Sequence, residues 1–104
     1  MKHYGIVFDN PLFLVDNHPF PRTDFASKEV IEDEMGNKQY PIKNMTKGEF
    51  GLEEIEVVVA SPTNPVEGVE VMTPLAYENV VLNVGRMRNG RKFYTYRADS
   101  VKAV

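Results

Sequence analysis

Residues 80–98 read "VVLNVGRMRNGRKFYTYRA". Asn89-Gly90 sits between two runs rich in β-branched and aromatic residues, the strongest short-range mark of a β-hairpin. Both central residues of a type I′ turn need positive φ, which Asn and Gly tolerate best. A two-residue turn sets Arg88 against Arg91, Met87 against Lys92, Arg86 against Phe93 and Gly85 against Tyr94. Alternation then predicts two faces. One carries Leu82, Val84 and Phe93, with Arg86, Arg88 and Arg91 at the tip. The other carries Asn83, Met87, Lys92, Tyr94 and Tyr96, with the Tyr94 ring covering the backbone of Gly85.

The strands before this hairpin are read in the same way. "EIEVVVA" (54–60) alternates, with Ile55, Val57 and Val59 on one face and Glu54, Glu56 and Val58 on the other. "SPTNPVEG" (61–68) is a loop, because Pro62 and Pro65 cannot donate to a ladder. "VEVMT" (69–73) alternates again and predicts a short strand. "LAYENVVLNVGRM" (75–87) predicts one full strand bent at Gly85. Residues 24–42 fit two forms. "DFASKEVIEDEMG" has a cap and a terminator for a helix. "EVIEDEMGNKQYPIK" also reads as a hairpin turning at Gly36-Asn37, and the β character of everything after it favours that reading. "FDNPLFLVDNHPFPRTDF" (8–25), broken by Pro11, Pro19 and Pro21, predicts an edge strand and an irregular segment near 10–25.

Turn signals thus recur about every ten residues. The expectation is one all-β domain over residues 1–104 with little helix: a small antiparallel β-barrel or sandwich, an OB-like barrel being one form of it.

The 104 residues, 42 % apolar and 26 % charged, suit one folded core. With no cysteine, disulfides and thiol chemistry are excluded. No run approaches the roughly 20 apolar residues of a membrane-crossing helix, and no signal-peptide core opens the chain. A cytoplasmic protein without membrane contact is expected.

Charge is distributed unevenly. Residues 1–46 carry five basic and seven acidic groups, residues 47–80 Lys47 against seven glutamates, and residues 81–104 six basic groups against Asp99. A basic end can face phosphates, or it can simply attract an acidic face of the same fold.

The hairpin itself has two readings. Aromatic rings beside cations hold single-stranded nucleic acid by stacking and phosphate neutralisation. That reading selects Arg86, Arg88, Arg91, Lys92, Tyr94, Tyr96 and Arg97. Alternatively, a charged tip only blocks edge-to-edge aggregation. Opposed Arg88 and Arg91 would weaken the second reading, since facing like charges destabilise a sheet without an anion between them.

Signs of catalysis are lacking. His3 and His18 stand fifteen residues apart without a ligand-spaced partner, so no metal is expected. Glu53, Glu54 and Glu56 split between the faces of a strand and read as solvated. No nucleophile elbow or phosphate-binding glycine loop is present. A non-enzyme without cofactor is expected.

Residues 38–104 resemble a known family. Its features run in order here: the Ile-Glu-Val-Val-Val strand (Ile55–Val59), a further strand with a following proline (Val69–Pro74), and a segment around Tyr77 leading into a strand that ends near Val84-Gly85. The Gly-then-aromatic hairpin (Gly90–Tyr96) and a closing Ala-Asp-x-apolar signature (Ala98–Val101) follow. "KQYPIKNMTKGEF" (38–50) parallels a further strand. The family comprises small proteins of conjugative elements, long of unknown function, and includes the helicase processivity factor HelP. The insertion "PLFLVDNHPFPRTDF" (11–25) departs from it. The resemblance implies a non-catalytic accessory factor of a mobile genetic element. Such a factor assists DNA unwinding and replication during conjugation by contacting single-stranded DNA, a helicase or another conjugation protein. The alternative is a protein-interaction module without direct DNA binding.

Overall fold

A computed structural model describes residues 2–86 and 88–104. Among them eight strands form: β1 (Lys2–Gly5), β2 (Leu12–Leu14), β3 (Lys38–Gly48), β4 (Gly51–Ser61), β5 (Pro74–Glu78), β6 (Val81–Arg86), β7 (Lys92–Ala98) and β8 (Ser100–Ala103). No helix is present among the described residues, so the all-β expectation is met.

The strands hydrogen-bond in the order β1-β6-β7-β4-β3-β2-β5-β8. Every pair is antiparallel except β4 with β7, which run parallel. The two ends of that order are continuous in the chain. Only Asn79 and Val80 separate β5 from β6, and only Asp99 separates β7 from β8. Their registers also agree: Leu75↔Ala103 and Glu78↔Ser100 lie on the same diagonal as Val81↔Arg97 and Arg86↔Lys92. The two halves are therefore one long hairpin, 75–103, bent near Asn79 and Asp99. Its lower half faces β4 and its upper half faces β2. The sheet consequently curls into a ring: β2, β3, β4, the second arm of the long hairpin, its first arm, and back to β2. This is the strand order of an OB-type Greek-key barrel.

Alternation builds its core. Leu12 and Leu14, Ile42, Val57 and Val59, Leu75, Val80 and Ala98 point inward and are buried. The parallel seam is short, pairing only Val57–Val59 with Tyr96–Ala98, so the barrel is partly open. Pro41 lies within β3 where that strand's far edge has no strand partner, since β2 reaches only Asn44 and Met45.

Several local expectations change. Residues 69–73 form a turn instead of a strand: Met72 is left-handed (φ 71°), and the Thr73 N–H donates to the Glu70 carbonyl. Val66, 1 % exposed, lies in the core and the partly buried Val69 packs against it, while Val71 and Met72 face solvent. Asn64 and Asn17 pin this turn, Asn17 donating to Val69 and Asn64 to Asn17. The bend in 75–87 falls at Asn79 (φ 53°), not at Gly85. β2 is no edge strand, for it lies between β3 and β5. Residues 24–37 turn tightly without a helix. The Asp33 carboxylate accepts the N–H groups of Asn37 and Met35, which hold its pKa below the ordinary value. The hairpin turn expected at Gly36-Asn37 does form, Glu32 bridging Lys38 across a left-handed Gly36 (φ 80°), but Val30 pairs with Thr23 and not with β3.

Candidate nucleic-acid interface

The hairpin register differs by one residue from the two-residue turn. The ladder pairs Leu82↔Tyr96, Asn83↔Thr95, Val84↔Tyr94, Gly85↔Phe93 and Arg86↔Lys92, and residues 88–91 lie outside the described strands. Gly90 is left-handed (φ 83°), whereas the left-handed non-glycine residues among those described are Lys28, Met72 and Asn79. Asn89 thus lacks the second positive φ that type I′ requires, and its side-chain oxygen instead accepts the Arg91 N–H at 3.0 Å. A left-handed glycine closing a longer turn is the other common use of Asn-Gly in hairpins.

A one-residue slip exchanges the faces of one strand relative to the other. The two expected faces are corrected accordingly. Leu82, Val84 and Arg86 share a face with Lys92, Tyr94 and Tyr96. Tyr94 faces Val84, so it does not cover Gly85. Arg88 and Arg91 lie in the connection and are not an opposed strand pair. The expected positions of Met87 and of the Phe93 side chain lie outside the described residues.

The corrected face runs from core to solvent. Tyr96 is half-buried, its ring 5.4 Å from that of Phe8 and tilted by 56°, which makes it a packing residue. One row outward Tyr94 is 62 % exposed. Arg86 and Lys92 follow, both exposed, with Arg88 and Arg91 beyond them. Across β6, Tyr4 pairs with Leu82 and adds a second open ring, 47 % exposed. Sequence reading missed Tyr4, because nothing local marks β1 as the neighbour of β6. Arg97 points to the opposite face, where its guanidinium reaches Gln39 at 3.4 Å. It lines a shallow depression of about 300 Å³ with Val58, Asn83 and Asp99. The expected seven residues therefore divide into five around the tip, Tyr96 in packing and Arg97 behind. Asp99 accepts from Asn79 at 2.9 Å and not from Arg97.

A second arm stands at the same end of the barrel. β3 and β4 pair over their full lengths, from Lys38↔Ser61 to Gly48↔Gly51, and the parallel β7 accompanies β4 only from Val57 onward. The free part of this arm carries Glu49, Glu53 and Glu54 against Lys47, and ends in Phe50 (93 % exposed) and Leu52 (76 %). Among the described residues its ion pair is Glu56 with Arg22 at 3.9 Å, and none joins it to the basic tip.

A cleft of about 660 Å³ opens between residues 5–12 and the stretch from Leu75 to Val80. Its lining is mainly apolar, with Asp9 and Tyr77 as its titratable groups. Among the described residues no cluster of His, Asp or Glu could hold a metal; the His3 side chain lies outside them. No described helix is long and apolar enough to cross a membrane.

No family model, curated protein or solved structure matches this chain. The resemblance to the conjugative-element family thus rests on its short motifs, and the geometry of the hairpin has to carry any reading of function.

Proposed function

We propose that this protein binds single-stranded nucleic acid along the tip of the long hairpin and acts there as a non-catalytic accessory factor. The observation that supports it most is the face shared by Arg86, Lys92 and the exposed Tyr94. A ring set beside cations on a rigid strand offers a stacking platform and phosphate neutralisation together. The fold adds support, since the connection between the fourth and fifth strands of OB-type barrels is one of their oligonucleotide-binding loops, and residues 88–91 belong to the corresponding connection between β6 and β7. The setting suggested by the motif resemblance is DNA unwinding during conjugation, beside a helicase.

Fluorescence anisotropy with a labelled oligothymidine tests the reading. With four cations engaged, the logarithm of affinity should fall with the logarithm of salt at a slope of about −3. Tyr94→Ala should weaken binding by roughly 1–3 kcal/mol. Absence of binding at low salt would sink it. The exposed Phe50 and Leu52 favour a second reading, a protein-interaction module, for which that absence is the expected result.

A further inference from the structure

We infer that a second copy of this chain docks on the first through the two arms, the acidic arm of each against the basic hairpin of the other. Three observations converge. First, the arms leave the barrel at one end, because β4 and β7 are parallel and their starts, Gly51 and Lys92, lie on the same side. Second, the arms diverge beyond the Val57↔Tyr96 pair, so the facing edges of β4 (Gly51–Glu56) and β7 (Lys92–Thr95) have no strand partner there. Such edges present a row of backbone donors and acceptors that another strand can satisfy. Third, the arms are complementary in charge and in apolar surface. Glu53 and Glu54 stand on one and Arg88 and Arg91 on the other, with Phe50 and Tyr94 exposed beside them.

A twofold axis through that end satisfies both contacts at once. It brings the β4 edge of each copy to the β7 edge of its mate, and it reverses strand direction so that the new pairs are antiparallel. The interface is isologous and closed, so it ends at a dimer and does not grow into a fibre. Within one chain, among the described residues, no ion pair joins the two arms.

Sedimentation equilibrium of the full chain at low salt, without nucleic acid, tests this apart from the DNA reading. The wild type should form dimers that dissociate as salt rises. The double variants Glu53→Lys/Glu54→Lys and Arg88→Glu/Arg91→Glu should each lose at least about tenfold in self-affinity, having two arms of like sign. An equimolar mixture of the two should recover a heterodimer, since the charges are then exchanged and complementary. All four positions are exposed, and circular dichroism checks that each variant is folded. A wild type that stays monomeric up to millimolar concentration overturns the proposal. So do folded variants that dimerise as well as the wild type, and so does a mixture that fails to recover.

Discussion

Asn44 shows how one polar side chain can lock a barrel interior. It is fully buried, and its amide donates to the carbonyls of Ile42 at 3.0 Å and Ile55 at 3.1 Å. Its oxygen accepts the Tyr77 hydroxyl at 2.8 Å. Three strands, β3, β4 and β5, therefore meet in one residue. Asn44→Leu should lower stability on the order of 2–4 kcal/mol, read from urea unfolding, because the Tyr77 hydroxyl is left buried and unpaired. Burial also pushes the Tyr77 pKa above its ordinary value of 10.0. A phenol whose folded pKa is raised contributes stability that is whole below the unfolded pKa and falls as pH rises above it. Stability should therefore decline above about pH 10. Tyr77→Phe should flatten that decline while costing about 1–3 kcal/mol at neutral pH, since the Asn44 oxygen then lacks its donor. Asn44 carries no mark in the sequence. It falls among lysines and a threonine in "PIKNMTKG", and only the alternation set by Tyr40 and Ile42 places it inward.

At the scale of the element, the long hairpin separates two tyrosines that the sequence treats alike. Tyr94→Ala should change stability by less than about 0.5 kcal/mol, as a surface substitution does. Tyr96→Ala should cost about 2–3 kcal/mol, because it empties a site packed against Phe8 and the core. Thermal melts of the two variants decide it, and equal losses would contradict the register. The strands of this hairpin were legible because β-branched and aromatic residues flank an Asn-Gly pair. The register was not, because Asn-Gly serves both the two-residue turn and the longer turn closed by a left-handed glycine, and the φ of Asn89 is invisible in its letter. The valines at 69 and 71 misled for a similar reason. Alternation over so few residues does not outweigh a tight turn held by Asn17 and Asn64 from elsewhere in the chain. For "EIEVVVA", alternation rightly set Ile55, Val57 and Val59 toward the core, with β3 to pair along the whole stretch, but Val58, grouped with Glu54 and Glu56, is buried as well.

For the whole molecule, the deciding feature is the parallel seam that closes the ring. Val57–Val59 and Tyr96–Ala98 lie far apart in sequence, and no motif announces their pairing. The barrel could be expected from turn spacing, but its closure could not. Ala98, 8 % exposed and paired with Val59, is the small residue that lets the seam come together. Ala98→Leu should overpack it at about 1–3 kcal/mol, lowering the denaturation midpoint. The distribution of charge also takes on meaning only at this scale. The acidic middle and basic end of the sequence become two separate arms at one end of the barrel, a placement that charge counting could not supply.

The same seam orders events during synthesis. Emerging from the ribosome, β3 and β4 can pair as soon as residue 61 is free, but the strand that seals the other side of β4 is not complete until Ala98 follows. For that interval "EIEVVVA" is a finished hairpin arm with a naked, valine-rich border, the kind of segment that nucleates aggregation between nascent chains. Glu53 beside it and Glu54 and Glu56 within it, all exposed, act as gatekeepers before the valine run. Their repulsion keeps neighbouring chains apart until the C-terminal strand arrives, so these carboxylates guard the fold before it exists.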